Sequence, residues 1–349
     1  MDPPHAVFAL VMQLALDVEP WKDMGPSRLP PPGRVRRLAE ELDEEGLAIA
    51  LGSEGSHRSL VLAELDYALH PAVHERRVPS YGSIVGPSTD PATWSEETEL
   101  SMTRRVIDGF PLAEARRFAD GLSSWLIRPV DGVLESVVFD RAAGSERDLV
   151  VLAEAMGATL IQRHASGVVR LVGDAGVLRW DGIGWHHEPP VARWIDAVTV
   201  CSGQGDREIL TMLLEFAVHD LGARGIGALL VYQPTETHHD DVATYEVRLA
   251  VPPPFRIERP ADLAPLRHVL GQIDGAAVFD VTGTLRQLGV RLVPSVEAES
   301  DVEGLRGMRH TSGRRYSFDD PMATVIVVSE DGPVTVMRNG EILGRSESD

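Results

Sequence analysis

A continuous apolar run, IGALLVY at residues 226–232, is the feature of this sequence that most limits its fold. An amphipathic segment at 206–221 precedes the run, begins with acidic residues and is followed by Gly222 and Gly225. This segment has the apolar spacing of a helix that covers a core, and acidic residues are favoured at a helix N-terminus. A strand without polar alternation is buried on both faces, as in sheets that helices cover on both sides. The two segments therefore predict an α/β domain.

The rest of the C-terminal part shows the same kind of pattern. A helix is predicted at 261–271, because its apolar residues recur at helical spacing. The predicted strands are 244–251, 275–281, 288–293 and 322–328, followed by a hairpin at 333–343. Asn339-Gly340 favours the tight two-residue turn of such a hairpin. We therefore predict a domain of residues 191–349 around a mixed sheet flanked by helices.

A separate α/β (α+β) domain is predicted at residues 1–190, ending at the EPP segment of 188–190. Its clearest unit is a helix at 146–156, with Ser145 as the N-cap and Gly157 after its last residue. The other predicted elements are helices at 34–45, 101–108 and 112–121, a loop at 83–99, and strands at 47–52, 58–66, 158–163, 167–172 and 176–180. This half contains no motif with an evident chemical role.

Composition limits the classes of function. The chain has 349 residues and a formal net charge of −20 at pH 7, which disfavours a partner with a phosphate backbone, so we expect no nucleic acid. Lys22 is the only lysine and lacks a preceding glycine-rich motif, so there is no Walker A loop. Cys201 is the only cysteine, which excludes an intrachain disulfide. The apolar stretch at 6–16 is too short to span a bilayer, so we expect a cytoplasmic protein without a membrane partner.

Three segments suggest other chemistries but fit them poorly. AAVFDVTGTL at 276–285 resembles the nucleophile motif of haloacid-dehalogenase-type phosphatases, with Asp280 as the nucleophile, but the chain that follows is too short for their fold. The HHDD segment at 238–241 and the histidine pair at 186–187 suggest metal ligands. Adjacent histidines point in different directions and rarely bind one ion, so we interpret both as solvated loop residues.

Four short segments of the C-terminal domain place charged and hydroxyl side chains at strand ends. They are GALLV at 227–231, DGA at 274–276, GMRH at 307–310 in a predicted loop, and VVSE at 327–330. Ligands of open α/β sheets usually bind at strand ends. Carboxylates bind divalent metals or orient hydroxyl groups, whereas arginine and histidine neutralise phosphate charge. The set therefore suits phosphoryl or nucleotidyl transfer.

This ordered set resembles the catalytic domain of the bacterial diadenylate cyclases, the DAC or DisA-N-type family. That family has a G-A-L-I-V strand, then D-G-A, then G-T-R-H-R, then a strand that ends V-V-S-E-E-T-G. The resemblance covers roughly residues 200–343. It implies a nucleotide-binding domain that condenses two ATP molecules into cyclic di-AMP and two pyrophosphates. It also implies Mg²⁺ or Mn²⁺ and a homo-oligomer in which two catalytic domains meet face to face.

The resemblance also implies roles for individual residues. Asp274 would orient or activate the 3′-hydroxyl group, while Arg309 and His310 would hold phosphates. Asp274 and Glu330 would bind the metal. The implied nucleotide-binding residues are Gly227, Ala228, Leu229, Gly275, Ala276, Gly307, Met308, Thr311 and Ser329.

Three of the departures from the family pattern bear directly on activity. Ile273 replaces a histidine that assists the metal, Met308 replaces a threonine, and Thr311 replaces the second arginine of R-H-R. Arg314 and Arg315 follow closely and are candidate substitutes for that arginine. Two hypotheses stay open: an active cyclase with an N-terminal regulatory or sensory domain, and an inactive module that senses ATP or cyclic di-AMP.

Overall fold

Two mixed sheets with helices on both faces form the framework of the protein. The structure is a computed structural model. It describes residues 32–52, 55–72, 78–86, 98, 100–199, 204–234, 244–246, 249–331 and 333–345. The apolar stretch at 6–16, Lys22, Cys201 and the HHDD segment at 238–241 lie outside these residues.

The helices are α1 (Pro32–Glu44), α2 (Ser56–Leu69), α3 (Leu112–Ala115), α4 (Glu146–Met156), α5 (Ala192–Thr199), α6 (Gln204–Glu215), α7 (Pro260–Leu270), α8 (Val296–Asp301) and α9 (Met308–Asp319). Short 3₁₀ turns occupy Ala48–Leu51, Arg116–Phe118 and Gly222–Arg224, and a π-helical segment occupies Phe216–Leu221. Across the described ranges, none of the helices combines the length and the apolar character that crossing a bilayer requires.

The strands of the first sheet are β1 (Tyr81–Val85), β2 (Met102–Val106), β3 (Ser124–Arg128), β4 (Glu135–Phe139), β5 (Thr159–Arg163), β6 (Val169–Gly173), β7 (Gly176–Trp180) and β8 (Trp185–Glu188). Those of the second are β9 (Ala228–Tyr232), β10 (Thr244–Glu246), β11 (Ala276–Phe279), β12 (Leu285–Val293), β13 (Thr324–Val328), β14 (Val334–Arg338) and β15 (Glu341–Arg345).

The first sheet has the strand order β2-β4-β3-β1-β5-β6-β7-β8. Strands β1 and β3 are parallel, and the other neighbouring pairs are antiparallel. One core joins α1 and α2 to the sheet, for example through Leu42 and Leu65, which are fully buried with Leu126. A second core joins the opposite face to α4 through Leu149, beside Trp125.

The second sheet has the order β10-β12-β11-β9-β13-β14-β15, with β9 and β11 parallel. Its larger core joins α6, the π-helical segment and α7 to one face, with Leu210, Phe216 and Leu266 fully buried. Tyr316 of α9 is fully buried in the core on the other face. The expected mixed sheet with flanking helices is thus confirmed. The predicted domain boundary at 190 falls between β8 and α5, and it stays a prediction.

Several expectations for the N-terminal half are wrong. Segments 47–52 and 58–66, predicted as strands, are a 3₁₀ turn and part of α2. Helix α2 is buried on most of its circumference, so it lacks the polar face that marks a helix in sequence. The segment at 101–108, predicted as a helix, contains β2, an edge strand that pairs only with β4 among the described residues.

The predicted loop at 83–99 also begins inside a strand, because β1 is buried along its whole length. A Cβ atom on Gly82 would lie 2.6 Å from Cε3 of Trp125, so only glycine lets this indole pack on the strand. His186 and His187, expected in a loop, lie on β8. His186 Nε2 is 3.1 Å from the carboxylate of Asp181, and His187 Nε2 is 2.9 Å from the carbonyl oxygen of Ala175.

Candidate functional site

Arg309, in the first turn of α9, lies between two carboxylates. Its Nη1 is 3.2 Å from Oε1 of Glu330, and its Nη2 is 3.8 Å from Oδ1 of Asp274. All three side chains reach solvent, and that of Asp274 is completely exposed. Exposed ion pairs contribute little to stability, so folding energy does not account for this cluster. The arrangement leaves two carboxylates and a guanidinium group accessible to a ligand.

The topology of the second sheet explains why these distant residues meet. Asp274 lies directly before β11, and Gly227 lies directly before β9, which is parallel to β11. Strand β13 runs antiparallel to β9, with Val328 paired to Ala228, so Glu330 lies beside Gly227. The site therefore lies where the parallel pair begins. This differs from the usual position in open parallel sheets, which is the carboxyl edge.

At two positions in this region, steric contacts leave room only for glycine. A Cβ atom on Gly227 would overlap the guanidinium group of Arg309 and would lie 2.8 Å from Cγ of Glu330. Gly275 has a φ of +108°, and its Cβ would lie 2.8 Å from the carbonyl oxygen of Val290. Gly227 thus makes room for the charged cluster, whereas Gly275 lets the turn after Asp274 pack on β12.

The GMRH segment is not a loop, as expected from sequence, but the start of a helix. Gly307, with a φ of +100°, precedes α9, and its carbonyl oxygen accepts a hydrogen bond from the amide of Thr311. Helix α9 has no clear apolar stripe, because few of its side chains are buried, so periodicity could not reveal it. Its N-terminus has no side-chain cap. Sequence reasoning therefore missed the backbone N–H groups of this turn, which are natural anion ligands.

The other expected site residues of α9 and β13 face different partners. His310 is half-buried, with Nε2 3.4 Å from the hydroxyl oxygen of Thr335. Burial and the charge of Arg345 lower the pKa of His310, which favours the neutral imidazole. The Thr311 hydroxyl group donates to the carbonyl oxygen of Leu305 at 2.8 Å and accepts from its amide at 3.0 Å. Ser329 is partly exposed next to Glu330.

Three of the expected nucleotide-binding residues have side chains that belong to the core. Ala228 and Leu229 are 4 % exposed and Ala276 is fully buried. Only their backbone groups can face a ligand. Met308 has the opposite character, because its side chain is 89 % exposed beside Arg309.

Arg314 and Arg315, the candidate substitutes for the missing arginine, bind backbone carbonyls instead. Arg314 donates to Gly340 and Glu303, and Arg315 donates to Val302 and Glu299. Both guanidinium groups therefore hold the segment between α8 and α9. The expectation that one of them replaces the second arginine of the R-H-R motif gains no support from these contacts.

The D-x-T-G-T motif forms a local turn rather than an exposed nucleophile. Oδ1 of Asp280 accepts hydrogen bonds from the amides of Thr282 and Thr284, and Oδ2 accepts one from Arg286. Burial raises the pKa of Asp280, but the hydrogen bonds from Thr282, Thr284 and Arg286 outweigh burial and lower it. Both carboxylate oxygens of Asp280 thus accept hydrogen bonds within the segment 280–286. This agrees with the interpretation that Asp280 is not a phosphatase nucleophile.

Two family models match this chain, one in each half. Residues 36–188 match the family described as "Probable sensor domain DACNK". Residues 215–342 match the DAC family, described as "DisA bacterial checkpoint controller nucleotide-binding". No curated protein matches.

Solved structures with similarity include a hypothetical membrane spanning protein from Bacillus cereus, with 21% identity and a TM-score of 0.29, covering 41% of this chain and 68% of that one. Another is a double mutant of DacA from Staphylococcus aureus, also with 21% identity and a TM-score of 0.29, covering 42% of this chain and 91% of that one. The family assignment depends on the two family matches and not on these structures.

The fold and the matches define a protein in which an N-terminal sensor domain precedes a nucleotide-binding α/β domain. The C-terminal domain belongs to the diadenylate cyclase domain family, as its four ordered motifs indicated.

Proposed function

We propose that the C-terminal domain is a diadenylate cyclase that condenses two ATP molecules into cyclic di-AMP and two pyrophosphates. The observation that carries this proposal is the position of Arg309, at an uncapped helix N-terminus and between the carboxylates of Asp274 and Glu330. Phosphoryl-group transfer needs positioned positive charge and little covalent work by the protein, which this set supplies. Since ATP is the substrate, we also propose a cytoplasmic location.

In this reaction the 3′-oxygen of each ATP attacks the α-phosphorus of the other. A new P–O bond forms, and the bond between the α-phosphorus and the oxygen bridging to the β-phosphate breaks, so that pyrophosphate leaves. Asp274 accepts the proton of the attacking hydroxyl group or orients it, because its carboxylate is exposed. Arg309 and the first amides of α9 bind the negatively charged phosphates.

The residues present also fit a divalent cation. Mg²⁺ is usually held by one or two carboxylates together with substrate phosphates and water. Asp274 and Glu330 provide two such oxygen donors, and the described part of the chain contains no larger group of His, Cys, Asp and Glu that could hold an ion. Mg²⁺ or Mn²⁺ bound by Asp274 and Glu330 would neutralise phosphate charge. Arg309 then exchanges its carboxylate contacts for phosphate contacts.

The exposure of the site is consistent with a symmetric dimer. Two ATP molecules must face each other, so two copies of the domain must meet around a two-fold axis. The exposed side chains of Asp274 and Glu330 leave the site open on one side in a single chain. A second copy bringing its own ATP closes the site.

The alternative is an inactive module that binds ATP or cyclic di-AMP as a sensor. The observation that favours it is the use of Thr311, Arg314 and Arg315 in backbone hydrogen bonds, which leaves the family's second arginine without a replacement on this helix. Such a module would bind the nucleotide through Arg309 without releasing pyrophosphate.

The test is to incubate purified protein with ATP and Mg²⁺ or Mn²⁺ and to measure cyclic di-AMP by mass spectrometry. We expect product from the wild type, a loss of at least 100-fold in Asp274→Asn, and a rate per chain that rises with protein concentration. Asp301→Asn, an exposed carboxylate on α8, is the matched control and should retain full activity. ATP binding without product under all conditions would establish the sensor, and unchanged activity in Asp274→Asn would remove Asp274 from the mechanism.

A further inference from the structure

A buried charged cluster connects the two halves of the protein. Glu146, the first residue of α4, is only 2 % exposed. Its carboxylate accepts hydrogen bonds from Arg179 at 2.9 Å and from Arg170 at 3.2 Å, both on the first sheet. Nδ1 of His219, from the C-terminal half, is 3.1 Å from Oε1 of the same carboxylate. His219 is itself 4 % exposed, so this contact is shielded from water.

A second contact lies beside the first. Arg147 Nη1 is 3.4 Å from Oδ2 of Asp220, and Arg147 Nη2 is 3.9 Å from Glu215. Asp220 is 3 % exposed, and its other oxygen accepts a hydrogen bond from Arg267 of α7 at 2.8 Å. One buried carboxylate therefore binds one arginine from each half of the chain. Removing one partner from a buried charge is costly. The Glu146–His219 and Arg147–Asp220 contacts therefore hold α4 and the segment that carries His219 and Asp220 firmly together.

The C-terminal partners lie on an unusual element. His219 and Asp220 are consecutive residues of the π-helical segment Phe216–Leu221. Segments of this kind are rare and are frequent at functional sites. The segment is held at its outer side by Glu146 and Arg147 and at its inner side by the core of the second sheet. A change in α4 therefore reaches this segment directly.

The chain runs from this segment into the candidate site. The 3₁₀ turn Gly222–Arg224 ends at Gly225, which has a φ of +65°, and Gly227 follows. A Cβ atom on Gly225 would lie 3.0 Å from the carbonyl oxygen of Glu330, so the connection packs closely on the site. A shift of the π-helical segment would therefore move Gly227 against Arg309 and Glu330.

We propose that the Glu146–His219 and Arg147–Asp220 contacts regulate the candidate site by holding the π-helical segment that sets the position of Gly227. This inference rests on the proposed function for its effect on turnover. In this proposal, a conformational change in the N-terminal sensor domain is transmitted by α4, because its first two residues, Glu146 and Arg147, make the two contacts. Arg147 and His219 are positioning residues, because they act on Arg309 through the segment that ends at Gly227.

The experiment compares Arg147→Gln with Arg267→Gln in the full-length protein. Both variants remove one arginine from Asp220. The two side chains are similarly exposed, at 21 % for Arg147 and 26 % for Arg267, but only Arg147 belongs to the sensor domain. Cyclic di-AMP formation is measured as a function of ATP concentration. Hydrogen–deuterium exchange is followed in peptides covering 216–232 and 305–316. His219→Gln tests the Glu146–His219 contact in the same way and serves if Arg147→Gln folds poorly.

We expect Arg147→Gln to lower kcat at least threefold with an ATP KM within twofold of the wild type, and to speed exchange in both peptides at least threefold. Arg267→Gln leaves both contacts with the sensor domain in place, so its effects on kcat and on exchange in the 305–316 peptide should be less than half those of Arg147→Gln. Equal effects of the two variants on kcat and exchange would overturn the coupling. If the wild type forms no cyclic di-AMP, the proposed function fails, and the exchange comparison alone decides on the coupling.

Discussion

At the scale of single residues, Gly227 shows how a missing side chain shapes the candidate site. Its backbone does not need glycine, since its φ is not in the positive range that disfavours other residues. The requirement comes from Arg309 and Glu330, whose side chains occupy the space that a Cβ atom would need. A family motif thus has a local physical reason that can be tested apart from catalysis.

We predict that Gly227→Ala displaces the guanidinium group of Arg309 and weakens ATP binding about tenfold, the loss of roughly one charge-assisted hydrogen bond. Isothermal titration calorimetry measures this change. Gly184→Ala, where nothing lies within 4 Å of the new methyl group, is the control and should bind ATP as the wild type does. Equal ATP affinity in the two variants would show that Arg309 does not bind phosphate.

At the scale of elements, α4 combines a capping box at its start with a left-handed glycine at its end, the most complete set of local signals among the described helices. The Ser145 side chain accepts a hydrogen bond from the amide of Asp148, and the Asp148 carboxylate accepts one from the amide of Ser145. Gly157 ends the helix in the left-handed conformation, with a φ of 57°. This helix also begins with the residues that contact the C-terminal half. The capping box fixes the first turn of α4 and therefore the positions of Glu146 and Arg147.

Replacing Ser145 with alanine should lower the free energy of unfolding by about 1 kcal/mol, the usual effect of losing an N-cap. Urea unfolding followed by circular dichroism measures the difference. Ser300→Ala, which removes an exposed hydroxyl group on α8, should change stability by less than about 0.5 kcal/mol. A Ser145→Ala variant as stable as Ser300→Ala would mean that the capping box does not stabilise α4.

At the scale of the whole molecule, the two halves share a buried carboxylate whose charge depends on both. Burial raises the pKa of Glu146, but the hydrogen bond from His219 and the charge of Arg179 outweigh burial and lower the pKa to about 2. A carboxylate whose pKa is lowered by folding stabilises the protein fully above its unfolded pKa. This contribution is lost as the pH falls toward the folded pKa.

The Glu146 contribution should therefore be complete above about pH 4.5 and disappear toward pH 2, with a size of about 3 kcal/mol. Urea unfolding of the wild type and Glu146→Gln at several pH values tests this. We expect a large stability difference at pH 7 that narrows below pH 4.5. Glu44→Gln, exposed at the end of α1, should show no such convergence. A Glu146→Gln difference that is constant with pH would contradict the ionised, cross-domain role of this carboxylate.

Local signals in the sequence were sufficient for much of the C-terminal domain and for α4. The buried run of β9, the Asn339-Gly340 turn, where Asn339 has a φ of 51°, and the cap at Ser145 depend on residues close in the chain, so their patterns can be read directly. The order of the four motifs also predicted the family. Only part of the site followed from it, since the motifs alone could not show that Thr311 is bound to Leu305.

What tertiary structure decided depends on contacts between distant residues. Helix α2 is buried around most of its surface, with Glu64 paired to Arg116 and Arg128, so its sequence lacks a polar face. The sequence of β1 resembles a loop because it contains Gly82 and Ser83, although both residues are buried in the strand. The meeting of Asp274, Arg309 and Glu330, and the contact between Glu146 and His219, arise from sheet pairing and packing over long separations. A sequence pattern records which face of an element is buried, but not which element covers it.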